Sequence, residues 1–303
     1  MKYIILDLEW DSVYFPPEKR FINQILQIGA VKLDENLNVT DTFSVNVCSS
    51  LSNRVTSRFT KLTGITSEMM RSGMDFEKAV EKYNEFCADA DVTLTWSDSD
   101  LYTIIENEKI LLKSKLEFEI KSYLDLQKLV QDELYNKGYE SKNQVALEAA
   151  AEFLGVDTEE YELHTALDDC RLSAKLFEIC YTVERFSRFL RNAESPDFRA
   201  RLSFKPYPIS DINDKHIRRC ELEFCCPKCK EKARKLNPWK YRNRWFVANF
   251  KCDSCGFKFN GRVAFKKTFD DLQVKHKVCE YKPKKRKKDA VQSVSEKVQS
   301  TQD

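Results

Sequence analysis

Three groups of acidic residues with one histidine in the first part of the chain, and two pairs of cysteines in the second, are of the types that do chemistry. Asp7 and Glu9 stand two apart at the end of an apolar run. A strand's period of two puts both side chains on one face of a sheet. Adjacent buried carboxylates repel unless a cation sits between them, so the pair reads either as metal ligands or as acids at an exposed strand end. Asp98 and Asp100 close the segment Trp96-Ser97-Asp98-Ser99-Asp100, where a strand gives way to a helix, and an Asp there is an N-cap or a ligand. His164 and Asp169 lie five apart, one ahead of a late helix and one in its first turns, so both can face one site. An imidazole titrates near neutrality and suits proton transfer, although a lone histidine also serves purely structural ends.

The cysteines carry a second signal. Cys226-Pro-Lys-Cys229 and Cys252-Asp-Ser-Cys255 are separated by 22 residues, the spacing of a zinc ribbon in which four thiolates hold one ion. Gly256 follows the second pair where the chain must turn sharply. Cys225 is an alternative to Cys226, and Cys220, Cys279, His216 and His276 are spare candidates. Between the pairs, aromatic residues alternate with cations. Trp239, Tyr241 and Arg244 read as contacts to nucleic acid, stacking on bases and meeting phosphates, while Trp245 and Val247 read as the core of the ribbon hairpin.

These residues need elements to position them. Tyr3 to Leu8, Ile25 to Leu33 and Thr42 to Val47 read as an antiparallel strand trio, and Asp75 caps a helix whose Phe76, Val80, Tyr83 and Phe86 recur at steps of three and four. Val92 to Trp96 is a strand, Leu101 to Leu112 a helix, and Tyr123 to Leu126 a strand leading into a helix over Gln127 to Tyr135. Two more helices cover Gln144 to Leu154, stopped by Gly155, and the stretch after His164. Such alternation is the mark of an α/β domain. It spans residues 1–190; 191–215 read as a linker, 216–282 as the zinc-ribbon module and 283–303 as a basic disordered tail containing Lys284 to Lys288.

The 303 residues suffice for two domains, and 42% apolar composition excludes a disordered or fibrous chain. Net charge is +2, but it divides unevenly. Up to residue 190 there are 21 basic against 34 acidic residues, −13; beyond it 29 against 14, +15. An acidic body thus carries a basic second half suited to a polyanion. Eleven cysteines, an odd number, favour metal ligation in a reducing compartment over disulfides. No run approaches the roughly 18 apolar residues of a membrane span, and the first apolar stretch carries acids unlike a signal peptide. The expectation is a cytoplasmic protein without membrane association.

Taken in order, the acidic pair, the Asp at a strand end some ninety residues on and the His-x4-Asp resemble the DEDDh 3′-to-5′ exonucleases, the group of proofreading subunits and ribonuclease T. Leu62-Thr63-Gly64-Ile65, Asp125-Leu126-Gln127 and Ala146-Leu147-Glu148 through Phe153-Leu154-Gly155 match further segments of that family, so the resemblance covers about residues 1 to 180. The Trp96 to Asp100 segment is most similar to ERI-type and KapD-type members. The resemblance implies a ribonuclease H-like fold, a mixed sheet flanked by helices, and hydrolysis of single-stranded RNA or DNA to nucleoside 5′-monophosphates, with RNA slightly favoured. It implies that Asp7, Glu9, Asp100 and Asp169 hold two Mg²⁺ or Mn²⁺ ions and that His164 is the general base. Thr63 and Ile65 would contact the terminal nucleotide. Trp10 stands where many members have Thr, and reads equally as a base-stacking residue or a core aromatic. A DNA proofreading or repair exonuclease, and an idle exonuclease fold that only binds nucleic acid, stay open as alternatives.

Overall fold

The computed structural model describes residues 1–112, 114, 116–141 and 143–281; the tail expected at 283–303 lies outside the described residues. Two compact units divide the chain, Met1–Ser203 and Phe204–Asp303.

The first unit opens with three long strands, β1 (Tyr3–Phe15), β2 (Arg20–Leu33) and β3 (Val39–Cys48), followed by α1 (Ser57–Thr63), α2 (Ser67–Arg71), β4 (Met74–Asp75) and α3 (Phe76–Cys87). Then come β5 (Val92–Thr95), α4 (Ser99–Leu111), β6 (Ser122–Asp125), α5 (Leu126–Asn136), α6 (Leu147–Phe153), α7 (Ala166–Cys180), α8 (Val183–Phe189), β7 (Arg191–Asn192) and α9 (Phe198–Ser203). The sheet runs β4-β3-β2-β1-β5-β6-β7. β1, β2 and β3 are antiparallel as expected, and β5 and β6 continue parallel to β1. Alternation along β1 decides what each side of the sheet meets. Ile4, Leu6 and Leu8 bury against α3 and α4, whereas Tyr3 and Ile5 bury against α5, α6 and α7. Asp7 and Glu9 continue the second row, which aims them toward α7.

Several elements escaped the sequence reading. β1 runs seven residues past Leu8, and a bulge between Glu9 and Trp10 lets the two halves differ in twist. Asp11 is buried and accepts hydrogen bonds from Thr56 N (2.6 Å) and Thr56 Oγ1 (3.0 Å), tying the N-cap of α1 to β1. Residues 191–215 are not a plain linker: β7 pairs with β6, Phe198 and Leu202 of α9 pack into the core beside α4, and β8 (Tyr207–Pro208) belongs to the second unit's sheet. Arg199 reinforces this through an ion pair with the buried Glu108 at 2.5 Å.

The second unit is built from β8, β9 (Phe224–Cys225), β10 (Lys232–Lys235), β11 (Lys240–Arg242), β12 (Trp245–Cys252), β13 (Lys258–Lys267) and β14 (Leu272–Glu280). Its small core is aromatic, with Phe224, Phe246, Phe250, Phe259 and Phe265 buried on one face of the sheet. Trp245 and Val247 stand on the opposite face, correcting their expected core role; Phe246, Ala248 and Phe250 of the same strand do the packing. No described helix is long and apolar enough to cross a membrane.

Candidate active site and zinc site

Four carboxylates from three elements converge above the middle of the first sheet. Asp7 and Glu9 come from β1, Asp100 from the first turn of α4 and Asp169 from the first turn of α7. Oxygens of Asp7, Glu9 and Asp169 all lie within 4.8 Å of one another. Asp100 is 2% exposed, and one of its carboxylate oxygens is buried without a hydrogen-bond partner. Burial raises the Asp7 carboxyl well above its ordinary range, and the charges of Asp100, Asp169 and Glu9 raise it further. Glu9 is pushed up to about 8 by burial and then by Asp169 and Asp100. Burial is again the main cause at Asp100 and Asp169; at Asp169 the backbone N–H of His164, 3.4 Å away, opposes it. Carboxylates buried this close together repel unless a cation sits between them, and hard divalent ions take oxygen donors of this kind. The donor set therefore fits such ions.

Asp98, two residues before Asp100, faces elsewhere, pairing with Lys128 at 3.2 Å and Arg191 at 3.6 Å. His164 is exposed just before α7, at φ 67° in the left-handed region. A non-glycine residue there is strained, and such strain concentrates at functional sites.

The approach of α7 rests on two residues of β2 that sequence reasoning missed. Gly29 pairs with Asp7 and has no side chain to hold α7 off: a Cβ there would stand 2.4 Å from the carbonyl carbon of Ala166. Gln27 pairs with Glu9, its Oε1 accepting from Ala166 N at 3.0 Å and its Nε2 donating to Asn46 Oδ1 at 3.0 Å. The signal for both lay in Ile25-Leu-Gln-Ile-Gly-Ala-Val, where a long amide and a glycine interrupt an apolar strand.

Trp10 is half-buried, packs against the core on the α3 and α4 side of the sheet, and lines a cleft of about 400 Å³ with Asn23, Asp98, Ser99, Tyr102 and Thr103. Thr63 and Ile65 are buried. Thr63 Oγ1 donates to Phe59 O and accepts from Ile65 N, and Ile65 packs with Leu26, Phe59 and Met70, so both do the work of a turn and a small core. The segment instead presents Leu62 to solvent, 53% exposed, with Gly64 at φ 73° ending α1.

In the second unit the sulfurs of Cys226, Cys229, Cys252 and Cys255 lie within 4.8 Å of one another. The two knuckles repeat one geometry. Lys230 N donates to Cys226 O at 3.0 Å and Gly256 N to Cys252 O at 2.9 Å, with Lys230 and Gly256 both left-handed at φ 66° and 73°. Four thiols so gathered fit one tetrahedral Zn²⁺. Cys225 and the spare candidates are not part of the cluster: His216 bonds Asp214 at 2.7 Å, and His276 bonds Glu221 O at 2.7 Å. Trp239 packs against Phe224 and Phe250, and Tyr241 against Phe246, while Arg244 is exposed in the left-handed turn between β11 and β12.

Comparison with known proteins agrees with this geometry. The family model described as Exonuclease (RNase_T) matches residues 14–177, more than half of the chain, and begins just after Asp7 and Glu9. The DNA polymerase III PolC-type of Caldanaerobacter subterraneus subsp. tengcongensis is 26% identical over 176 residues, covering 58% of this chain and 11% of that polymerase. Among solved structures, full-length 3′-exonuclease gives a TM-score of 0.51 at 22% identity over 59% of each chain. Cell-death related nuclease 4 gives 0.50 at 19% identity, over 59% of this chain and 62% of that one. The mixed sheet flanked by helices is thus the fold of these exonucleases.

Proposed function

Since the chain belongs to the exonuclease family, we propose that its first unit removes nucleotides one at a time from the 3′ end of single-stranded nucleic acid, RNA before DNA, releasing nucleoside 5′-monophosphates. The observation that carries this reading is the convergence of carboxylates from β1, α4 and α7: oxygens of Asp7, Glu9 and Asp169 lie within 4.8 Å of one another, and the buried Asp100 acts on Asp7 through its charge. These four would hold two divalent ions, Mg²⁺ or Mn²⁺. Such ions supply an activated water on one side of the phosphorus and neutralise the leaving oxygen on the other.

The chain's own residues do the rest. His164, exposed next to Asp169, takes the proton from the attacking water, and its strained backbone together with the Asp169 carboxylate sets where the imidazole stands. Trp10, at the bulge beside Glu9, offers its ring to the terminal base in the adjoining cleft. One Zn²⁺ at the four cysteines holds the second unit together and takes no part in the hydrolysis.

A gel assay on 5′-labelled RNA and DNA of one sequence, with Mg²⁺, Mn²⁺ or chelator, tests the reading. The expected result is a metal-dependent ladder shortening from the 3′ end, faster on RNA and absent in His164→Ala. Undigested strands retained by the protein would overturn it in favour of a binding protein with an idle nuclease fold, and faster digestion of DNA would favour a proofreading or repair role.

A further inference from the structure

The second unit's sheet has one face packed on its aromatic core and one face left open. Register places Lys240, Val247, Arg262 and Lys277 in one row across β11, β12, β13 and β14 on the open side. Neighbouring rows add Arg242 beside Trp245, Lys275 opposite Ala264, and Lys266 opposite Gln273. Because directly opposed residues share a face, the strand positions of β11 to β14 on this side contain no aspartate or glutamate. Acids of this unit form ion pairs elsewhere, among them Glu221 with Arg218, Glu223 with Lys232 and Asp253 with Arg234. Among the described residues none reaches these six cations.

Like charges on neighbouring strands repel, a cost that folding has no reason to bear unless a polyanion relieves it. The face also carries more than charge. Trp245 is half-buried there, Asn260 Nδ2 donates to Asn249 Oδ1 at 3.0 Å, and Arg262 Nε donates to Asn260 Oδ1 at 3.1 Å, which leaves the terminal guanidinium nitrogens to donate outward. A groove of about 730 Å³ lies along its β11 side, bordered by Asn237, Lys240, Arg242, Val247, Asn249 and Asn260. Cations spaced by neighbouring strands, a flat aromatic and side-chain amides are the means by which open sheets hold single strands.

We infer that this open face is a binding surface for the sugar-phosphate backbone of a single-stranded nucleic acid, centred on Arg262 and Lys277, with Trp245 as a stacking platform. It is distinct from Trp239 and Tyr241, whose rings pack on Phe224, Phe250 and Phe246. The inference rests on the reading of the first unit as a nuclease for single strands.

The test separates the two claims. In an Asp7→Asn background, where the strand is not consumed, fluorescence anisotropy of a labelled 12-nucleotide RNA reads the open face. In the wild-type background, hydrolysis of a dinucleotide too short to reach a second surface reads the nuclease. Arg262→Glu/Lys277→Glu should weaken 12-mer binding at least tenfold and reduce the slope of log affinity against log salt by about 1.4, two contacts at about 0.7 each, with dinucleotide turnover unchanged. The milder Arg262→Ala/Lys277→Ala, with zinc content measured, guards against misfolding and should shift both quantities in the same direction. Unchanged affinity and slope in zinc-loaded variants would overturn the inference. So would displacement of the 12-mer by polyglutamate at equal charge concentration, which would make the face a dock for acidic protein. Absence of dinucleotide hydrolysis would overturn the nuclease reading alone, and the anisotropy would still decide the face.

Discussion

Gly29 and Ala166 approach so closely that a Cβ on the glycine would stand 2.4 Å from the carbonyl carbon of Ala166 and 2.7 Å from its oxygen. Backbone is on both sides of this contact, so no side chain can swing away to relieve it. Gly29 lies opposite Asp7 in the β1–β2 pairing, and Ala166 begins the helix that carries Asp169. The distance between these two residues therefore controls whether a carboxylate of α7 reaches the carboxylates of β1.

Replacing Gly29 by Ala should push the start of α7 off the sheet. Overpacking of this kind costs about 1–3 kcal/mol, and a displacement near 1 Å at reacting groups can cost about a hundredfold in rate. The expected outcome is a modest loss of thermal stability with kcat reduced at least tenfold and KM little changed. Denaturant melts beside steady-state kinetics on a dinucleotide check it; loss of stability and kcat in simple proportion to unfolded protein would show that the contact serves packing alone.

Gln27 acts on the same junction through hydrogen bonds. Its Oε1 accepts from Ala166 N, one of the amides at the α7 N-terminus that the helix itself cannot satisfy, and its Nε2 holds Asn46. Gln27→Leu keeps the volume and removes both bonds, so it should cost about 1–2 kcal/mol and lower kcat severalfold by loosening the stretch from His164 to Asp169. Hydrogen exchange at the first turn of α7 should speed up in this variant. Unchanged protection there would remove Gln27 from the site's support.

How far the sequence could be read depended on whether a residue's surroundings were local. Asp75 as the cap of α3 and the apolar stripe through Phe76, Val80 and Tyr83 were legible because a helix face declares itself within one segment, and the structure has Asp75 Oδ1 accepting from Glu77 N at 3.0 Å. Asp7 and Glu9 were legible as a same-face pair for the equivalent reason in a strand. Gly29 was not, since its close neighbour is 137 positions away in sequence and on another element. In β12 both alternating sets contain aromatic residues, Trp245 on one and Phe246 and Phe250 on the other, so hydrophobicity could not tell the inner face from the outer. The prolines and charges of 191–215 suggested a linker, but Phe198 and Leu202 are apolar enough to hold α9 on the core.

The clustered carboxylates make a prediction about stability without divalent ions. Glu9, at about 8, and Asp7 have folded-state pKa values raised above their unfolded ones. Their contribution is then full below the unfolded values near 4 and is lost as pH rises through the raised values. Asp7→Asn removes one of the repelling charges. In Mg²⁺-free buffer at pH 8 it should raise the melting temperature of the first unit by about 2–6 °C, for a gain of ~1–2 kcal/mol, while abolishing hydrolysis. At pH 5 the difference should shrink toward zero, and Mn²⁺ should raise the melting temperature of the wild type more than that of the variant. A variant less stable than wild type at pH 8 would mean that Asp7 makes a structural contact outweighing the repulsion.

Zinc removal should act on the second unit and spare the chemistry of the first. The second unit's core is one small aromatic cluster, too little for so short a segment, and Ala233, which packs in that core, pairs directly with the knuckle residue Cys252. Binding energy at a structural zinc site is folding energy for a module of this size. Cys226→Ser/Cys252→Ser takes one sulfur from each knuckle and should abolish bound zinc by atomic absorption, together with the unit's near-ultraviolet circular dichroism, to which Trp239 and Trp245 contribute. Dinucleotide hydrolysis should persist, because Asp7, Glu9, Asp100, His164 and Asp169 all lie within Met1–Ser203, whose apolar cores form from its own residues. Zinc retained at one equivalent in the double variant would refute the four-cysteine site, and loss of dinucleotide hydrolysis alongside the zinc would show that the first unit needs the second to fold.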